Sequence, residues 1–267
     1  MRRTDKQRSA WEDWGRVDPL WAVLTDGERR GGWDVDSFFT TGLEAAGWAL
    51  AHAEELGRPA NRRLALDFGC GVGRLTRALA PHFERTVGLD IAATMVDEAR
   101  RLDAQRGPSG AEFAVYEGDD LADWAGSVDF LFSLLVLQHV PSRDVIAGLL
   151  RAFVRALSPG GIAAVHLPSA VPAGSQGHRR LRMRAGDRLR AAGLSASFLY
   201  RRGWEPEMLM NAVPYDETVA ILEDAGGQVL DTTESSIGDG VINQIYFFAR
   251  AGGTAPYPGL SRHRPSA

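Results

Sequence analysis

The chain has 267 residues, a formal net charge of −4 and 45% hydrophobic residues, which fits one globular domain with insertions. The mild acidity gives no electrostatic reason to expect a nucleic-acid partner, and a single cysteine, Cys70, excludes an intrachain disulfide and favours a reducing cytoplasm. No apolar run approaches the ~18 residues of a membrane span, and the charged opening MRRTDKQRSAWEDWG does not resemble a secretory signal.

The first 60 residues are predicted to form a helical cap rich in aromatic side chains, because they hold five of the seven tryptophans. Ser37 is expected to cap a helix that continues to about Leu56. Gly57 and Pro59 would end that helix, since both residue types interrupt helical backbone.

From Leu64 onward, apolar strands alternate with helices. The predicted strands are Leu64–Phe68, Thr86–Leu89, Glu112–Tyr116, Phe130–Leu135 and Ile162–Leu167. The predicted helices are Val72–Ala80, Thr94–Gln105 and Ser142–Leu157, the last of them stopped by the sequence SPGG. Near-continuous apolar strands separated by helices indicate an α/β fold whose parallel sheet is covered on both faces.

The alternation stops after the fifth strand, where residues 170–214 contain no clear strand–helix unit and are predicted to be an insertion. A helix at Tyr215–Asp224 follows, and strands Gln228–Glu234 and Ile242–Arg250 are joined by a short turn that makes them antiparallel. The expected fold is a Rossmann-like, doubly wound, seven-stranded sheet, mostly parallel with an antiparallel last strand. Residues 61–250 would form this domain, and the Gly-, Pro- and Ser-rich residues 251–267 a disordered tail.

The segment LDFGCGVGRLT places an acid and three glycines where the first strand meets the next helix. Ligands of open parallel sheets bind at such carboxyl ends, and glycines let the backbone approach them closely. A phosphate-binding P-loop needs Lys followed by Ser or Thr, and a dinucleotide fingerprint needs a third glycine at the position of Arg74. Asp67 at the strand end suits a ligand with positive charge better than a pyrophosphate.

This segment resembles the first motif of class I S-adenosylmethionine-dependent methyltransferases, and later segments resemble the following motifs in order. VGLDIAATMVDEAR is similar to the second motif, whose acid, here Asp90, grips the ribose hydroxyls. YEGDDLADW is similar to the third, where Asp119 or Asp120 would meet the adenine amino group with Leu121 nearby. FLFSLLVLQHVP is similar to the fourth strand and its exit, and ALSPGGIAAVHLPS to the turn before the fifth strand.

The resemblance implies a chain that binds S-adenosylmethionine and releases S-adenosylhomocysteine. Cys70 can instead be a small packing residue, and Met95 can pack its helix rather than cover adenine. The implied cofactor-binding residues are Asp67, Gly69, Cys70, Gly71, Gly73, Asp90, Ile91, Met95, Asp119, Asp120, Leu121, Leu134 and Gln138.

Methyl transfer to many acceptors needs a base at the carboxyl ends of the fourth and fifth strands. His139 and His166 are the candidates, because histidine titrates near neutral pH, and each has a structural alternative as a loop-capping or buried residue. Tyr200 and Tyr215 are weaker candidates. The histidines have no metal-ligand spacing, so metal dependence is not expected.

A basic segment follows the fifth strand: residues 178–202 carry eight arginines and one acid, Asp187. Arg180, Arg184 and Arg188 share one face of a predicted amphipathic helix. This face is interpreted either as a site for carboxylate or phosphate groups or as a solvated face that offsets the acidic remainder of the chain.

The favoured function is transfer of a methyl group to O or N of a small metabolite, such as an anionic, sugar or natural-product acceptor. The aromatic cap would act as a lid or as an apolar docking helix. Alternatives are a non-catalytic S-adenosylmethionine-binding protein on the same fold and, less favoured, a nucleotide-cofactor oxidoreductase. The oligomeric state is not indicated. Candidate substrate-binding residues are Trp33, Phe38, Tyr200, Arg201, Met208 and Met210.

Overall fold

A computed structural model describes residues 3–118, 121–172, 185–186, 188–237 and 240–252. Within these ranges, strands β1 to β7 form one sheet in the order β3-β2-β1-β4-β5-β7-β6. Pairing is parallel from β3 through β5, and β7 is antiparallel to both β5 and β6. The strands are β1 Leu64–Phe68, β2 Arg85–Asp90, β3 Glu112–Val115, β4 Val128–Ser133, β5 Leu157–Ala170, β6 Gly227–Ile237 and β7 Val241–Arg250.

The predicted Rossmann-like sheet with an antiparallel last strand is confirmed. Its strand order reverses at β1, which lies between β2 and β4. At such a switch point the loops leaving neighbouring strands diverge and open a crevice. The glycine-rich segment after β1 therefore lies at the position where this fold binds ligands.

Helices cover both faces of the sheet. They are α1 Arg3–Val17, α2 Pro19–Val23, α3 Val35–Glu55, α4 Arg74–Leu79, α5 Ala93–Gln105, α6 Arg143–Ala156, α7 Ala196–Arg201 and α8 Tyr215–Asp224, with short 3₁₀ turns at Ala80–His82, Ala122–Trp124 and Leu137–His139. Successive strand residues point to opposite faces. One face of the sheet packs with α6 and α8, and the other packs with α3 and α4.

The cap of α3 lies three residues earlier than the sequence predicted. The Asp34 side chain, not that of Ser37, caps the helix, and it accepts a hydrogen bond from the Ser37 backbone N–H at 2.8 Å. Both residue types satisfy the exposed N–H groups of a first turn, so residue preference alone did not separate them. The helix ends at Glu55, one residue before the predicted end.

Helix α3 belongs to the same core as the sheet. Its small residues Ala46, Ala49 and Ala53 are at most 1% exposed and pack in one cluster with residues of β1, β4 and β5. The predicted division at residue 60 thus runs through a shared hydrophobic core. In the insertion, residues 185–186 and 188–191 are helical. The remainder of the predicted basic helix and most of the predicted tail lie outside the described residues.

Contact between α3 and α4 depends on Gly42. A Cβ atom at this position would lie 2.4 Å from the backbone oxygen of Arg74, whereas a Cβ at Gly47 on the same helix would meet nothing within 4 Å. We expect Gly42→Ala to lower the free energy of unfolding by about 1–2 kcal/mol, because overpacking forces the helices apart. Gly47→Ala should raise it by about 0.5–1 kcal/mol through helix propensity.

Urea unfolding of both variants measures these changes. Equal stabilisation by the two substitutions would contradict the close approach of α3 to α4.

Candidate cofactor-binding site

The loop after β1 is tied to the end of β2 by backbone hydrogen bonds. The N–H groups of Gly69 and Cys70 donate to the Leu89 carbonyl oxygen at 2.7 and 2.9 Å. The Gly71 N–H donates to Oδ2 of Asp90 at 2.9 Å. These bonds set the loop directly above the carboxyl end of the neighbouring strand.

Glycine is required at the three loop positions for two reasons. Gly69, Gly71 and Gly73 have φ values of +79°, +53° and +83°, a region that L side chains rarely adopt. A Cβ at Gly69 would also lie 2.4 Å from the Val136 side chain, and one at Gly71 would lie 2.4 Å from that of Val23. The loop is thus enclosed by the exit of β4 on one side and by α2 on the other.

Asp90 presents a buried carboxylate at the end of β2 and is 9% exposed. Its Oδ1 accepts from the Ala92 N–H at 2.9 Å, and its Oδ2 accepts from Gly71. Burial raises the pKa of Asp90 to about 6, against the lowering effect of these two backbone donors. Since a carboxylate has about four acceptor sites, Asp90 retains capacity for two further donors such as the hydroxyls of a cis-diol.

Asp67 has a different environment. It is 1% exposed, and its Oδ2 accepts a 2.6 Å hydrogen bond from the Thr76 hydroxyl on α4. Oδ1 is buried and has no hydrogen-bond partner among the residues that the structure describes. Burial raises the pKa of Asp67 to about 6, although Thr76 and Arg74 oppose the shift. Asp67 therefore anchors β1 to α4 beneath the loop.

A cavity of about 270 Å³ opens beside the loop. Six of the predicted cofactor-binding residues line it: Gly69, Gly71, Asp90, Ile91, Met95 and Leu134. Five others, Asp67, Cys70, Gly73, Leu121 and Gln138, are not among its described lining residues. Cys70 packs beneath Gly88, in the position of a small packing residue, which was the alternative interpretation of this cysteine. Asp119 and Asp120 lie outside the described residues, and Tyr116, Glu117 and Gly118 line the cavity just before them.

Helix α1 forms the remaining wall of this cavity with Thr4, Asp5, Gln7, Arg8 and Trp11. Gln7 Nε2 donates to the His139 carbonyl at 2.8 Å, and Arg8 Nη2 donates to that of Tyr116 at 3.2 Å. The Glu12 carboxylate accepts from the backbone N–H groups of Ala93 and Thr94 at 2.6 and 3.2 Å.

The aromatic content of the N-terminal segment predicted a lid, but the lining residues of α1 were missed by sequence reasoning. Their spacing over residues 4–11 gives one helix face, which was the available signal.

His139 lines the cavity on the side of β4 and is 6% exposed. Its Nδ1 donates to the Leu209 carbonyl at 2.5 Å, and its Nε2 lies 3.2 Å from Nε2 of Gln138. A carbonyl can only accept and an amide nitrogen can only donate, so these contacts define a neutral imidazole protonated at Nδ1. The Trp11 ring packs against it with centroids 5.3 Å apart.

His166 lies elsewhere. Strand β5 continues to Ala170 by pairing with β7, so His166 is inside the strand and not at its end. Its Nε2 contacts Oδ1 of Asn243 at 3.1 Å, and burial lowers the pKa of His166 to about 4. It is not among the described residues that line the cavity. The structure therefore does not bring this predicted base to the site.

The predicted substrate-binding residues are not among the described residues that line this cavity. Phe38 has no exposed surface and packs against Trp33 and Phe39. Trp33, Tyr200 and Met208 belong to the same apolar cluster. Arg201 is exposed on α7, and Met210 is half-buried.

Tyr200 and Arg30 join the insertion to the N-terminal segment. The Tyr200 hydroxyl donates to Asp18 at 2.6 Å and accepts from Arg30 at 3.1 Å. Burial, with Asp18 adding to it, raises the pKa of Tyr200 to about 12. A phenol with that pKa stays protonated at neutral pH, so Tyr200 serves as a structural donor.

A second cavity of about 330 Å³ lies between α1 and residues 186–207. Four of its charged lining residues pair with each other, Lys6 with Glu207 at 2.9 Å and Arg190 with Asp13 at 2.5 Å. Glu205, which also lines it, pairs with Arg30 at 3.6 Å. Its described lining includes no residue of the glycine loop. The cavity beside the loop is therefore the candidate site, although it is the smaller of the two.

Over the residues that the structure describes, no three His, Cys, Asp or Glu side chains converge as a metal-binding group. Over the same part of the chain, no helix combines the length and apolar character that crossing a bilayer requires.

The sheet order and the acid-flanked glycine loop define a Rossmann-like fold of the class I methyltransferase type. In agreement, residues 65–161 match the family model of a methyltransferase domain. The chain thus has the class I methyltransferase fold, and its central part, residues 65–161, is similar to a methyltransferase domain.

The curated relatives match only part of the chain. Trans-aconitate 2-methyltransferase of Acidovorax ebreus is 34% identical over 140 residues, covering 51% of this chain and 50% of that protein. A ubiquinone biosynthesis O-methyltransferase of Xanthomonas axonopodis pv. citri is 35% identical over 104 residues, 39% of this chain and 41% of that protein. The chain therefore spans half or less of the length of these curated relatives.

A solved structure shows the same fold over most of the chain. Magnesium protoporphyrin IX methyltransferase of Synechocystis PCC 6803, with bound S-adenosylhomocysteine, superposes with a TM-score of 0.60 at 19% identity. The match covers 94% of this chain and 100% of that one. The fold therefore includes the N-terminal helices as well as the central sheet.

The buried carboxylate of Asp90 should make folding stability depend on pH. Its pKa is raised from 3.8 to about 6 in the folded state, so its contribution is fully present below pH 3.8 and is lost as the pH rises through 6. The unfolding free energy of the wild type minus that of Asp90→Asn should fall by about 2 kcal/mol between pH 4 and 7.5.

Urea titrations at several pH values, with no cofactor added, measure this difference. Parallel pH curves for the two proteins would mean that the carboxylate is solvated in the folded state.

Proposed function

We propose that the protein is an S-adenosylmethionine-dependent methyltransferase that transfers a methyl group to O or N of a small metabolite. The observation that carries the proposal is Asp90, a buried carboxylate that faces the cavity and is oriented by the Gly71 and Ala92 N–H groups. The glycine loop beside it has space only for hydrogen atoms at the Cα positions of Gly69 and Gly71.

The residues present fit this cofactor. Asp90 has acceptor capacity for the two ribose hydroxyls, and the loop glycines allow close approach of the backbone. When bound, S-adenosylmethionine supplies an activated methyl group on a sulfonium and becomes S-adenosylhomocysteine. The chain has to orient the acceptor atom toward that methyl group and to exclude water. Helix α1, which forms one wall of the cavity, would serve to exclude water.

His139 is our candidate for the group that removes a proton from the acceptor. It lines the cavity, and its Nδ1–H is held by the Leu209 carbonyl, so Nε2 is the basic atom. Gln138 contacts that atom at 3.2 Å, and an acceptor hydroxyl or amine would have to replace this contact. An acceptor carboxylate needs no base.

An anionic acceptor is supported by the exposed Arg188, Arg201 and Arg202 on the segment after β5. It is also supported by the relative whose name gives trans-aconitate as its substrate. The single buried cysteine is consistent with our expectation of a cytoplasmic location.

Calorimetry tests cofactor binding. S-adenosylmethionine should bind and NAD should not. Asp90→Ala should weaken the binding of S-adenosylmethionine by about 1.5–3 kcal/mol, because the ribose hydroxyls lose their acceptor. Asp97→Ala should leave this affinity unchanged. Asp97 is the matched control because it is an exposed acid on α5 that pairs with Arg100 at 3.3 Å. Unchanged affinity of Asp90→Ala would place the ribose elsewhere.

Turnover is tested by mass spectrometry of metabolite fractions incubated with the protein and methyl-labelled S-adenosylmethionine. We expect a product heavier by one methyl group. If the methylated atom of the acceptor carries a proton, His139→Gln should then lower kcat by about 10²–10⁴-fold and remove the acid limb of the pH profile. Cofactor binding without any labelled product would favour the non-catalytic alternative, and an unchanged kcat in His139→Gln would remove this residue from proton transfer.

A further inference from the structure

We propose that the ring of Trp11 faces the sulfonium of the cofactor and makes the site prefer the cationic methyl donor to its neutral product. The inference rests on the proposed function and adds a specificity-determining residue supplied by α1. It follows from where Trp11 lies along the crevice, from the charge of the cavity wall, and from the contacts that hold α1 in place.

The strand order gives the direction of the bound molecule. Strands β3, β2, β1 and β4 lie side by side, about 4.8 Å apart. The ribose acceptor Asp90 ends β2, and the implied adenine contacts follow β3. When the cofactor is bound, the part beyond the ribose would therefore extend the other way, over β1 toward the exit of β4.

Trp11 lies at that end of the cavity. Its ring is 5.3 Å from the ring of His139, which belongs to the turn after β4. The other aromatic lining residues, Phe68 and Tyr116, pack against each other with centroids 5.0 Å apart. Tyr116 follows β3 and so belongs to the adenine end. Trp11 is thus the aromatic side chain placed to face the sulfur.

The charge of the wall also favours a cation. Among the described residues that line the cavity, Asp5, Asp90 and Glu117 are acids and Arg8 is the cation. Arg8 interacts with Glu117 and with the Tyr116 carbonyl, at the adenine end. A cation over an aromatic face gains about 0.5–2 kcal/mol, with tryptophan the strongest ring.

Three groups of α1 hold Trp11 in position. Gln7 is bonded to the His139 carbonyl, Arg8 to that of Tyr116, and Glu12 to the first N–H groups of α5. Trp11 is itself half-buried. A ring held in place before the ligand binds loses little conformational freedom on binding, so its contact with the charge contributes to selectivity.

Calorimetry on Trp11→Leu and Trp11→Phe tests the proposal with three ligands: S-adenosylmethionine, S-adenosylhomocysteine and an analogue with a protonated amine in place of the sulfonium. In Trp11→Leu, we expect the preference for each cationic ligand over S-adenosylhomocysteine to fall by roughly three- to thirtyfold. Trp11→Phe keeps a weaker ring and should fall between Trp11→Leu and the wild type. Trp48→Leu is the control, since Trp48 is exposed on α3 and stacks on His52.

An equal loss of affinity for all three ligands in both variants would overturn the proposal. It would mean that Trp11 contacts the adenosine part of the ligand or has a purely structural role. Loss of affinity for S-adenosylmethionine alone, with the amine analogue unaffected, would also overturn it by indicating contact with the methyl group and not with charge. If Trp11→Leu does not fold, the wild type and Trp11→Phe give the same comparison. Failure of the wild type to bind any of the ligands would contradict the proposed function instead.

Discussion

The hydrogen bond from the Gly71 N–H to the Asp90 carboxylate joins the two strand ends on which the site is built. It holds the loop after β1 against β2, and with the Ala92 N–H it fixes the orientation of the carboxylate. A side chain at Gly71 would collide with Val23 of α2, so the same residue also sets how closely the N-terminal segment approaches. The crevice, its acid and its cover therefore depend on one backbone position.

Two carboxylates at this point, Asp67 and Asp90, are buried and have raised pKa values. Their burial works against folding at neutral pH, because desolvation disfavours the charged form. Asp67 interacts with Thr76 and Arg74 beneath the loop, whereas Asp90 faces the cavity. A bound cation and two hydroxyl donors would stabilise the ionised form of Asp90. Ligand binding would therefore offset part of the loss in folding stability that burial of this carboxylate causes.

Local patterns in the sequence predicted most of the fold. Apolar runs marked the seven strands. The glycine loop and Asp90 could be proposed from the sequence because the residues that suggest ligand binding lie in short contiguous segments. The features that the sequence did not predict depend on contacts between residues that are far apart in the chain. His166 was predicted to end a strand that pairing with β7 extends, Phe38 is buried by neighbours that tertiary packing supplies, and Gln7 meets His139 from 132 residues away. Asp34 and Ser37 were separated only by the actual start of α3.

Helix α1 is held by the ion pairs of Lys6 with Glu207 and Asp13 with Arg190, and also by hydrogen bonds to main-chain atoms. Gln7 and Arg8 bond to the carbonyls of His139 and Tyr116, and Glu12 bonds to the amides of Ala93 and Thr94. Every residue type except proline offers these amides and all offer the carbonyls, so substitutions at these four body positions leave the main-chain contacts available. The side-chain identities that these contacts require are those of Gln7, Arg8 and Glu12 on α1.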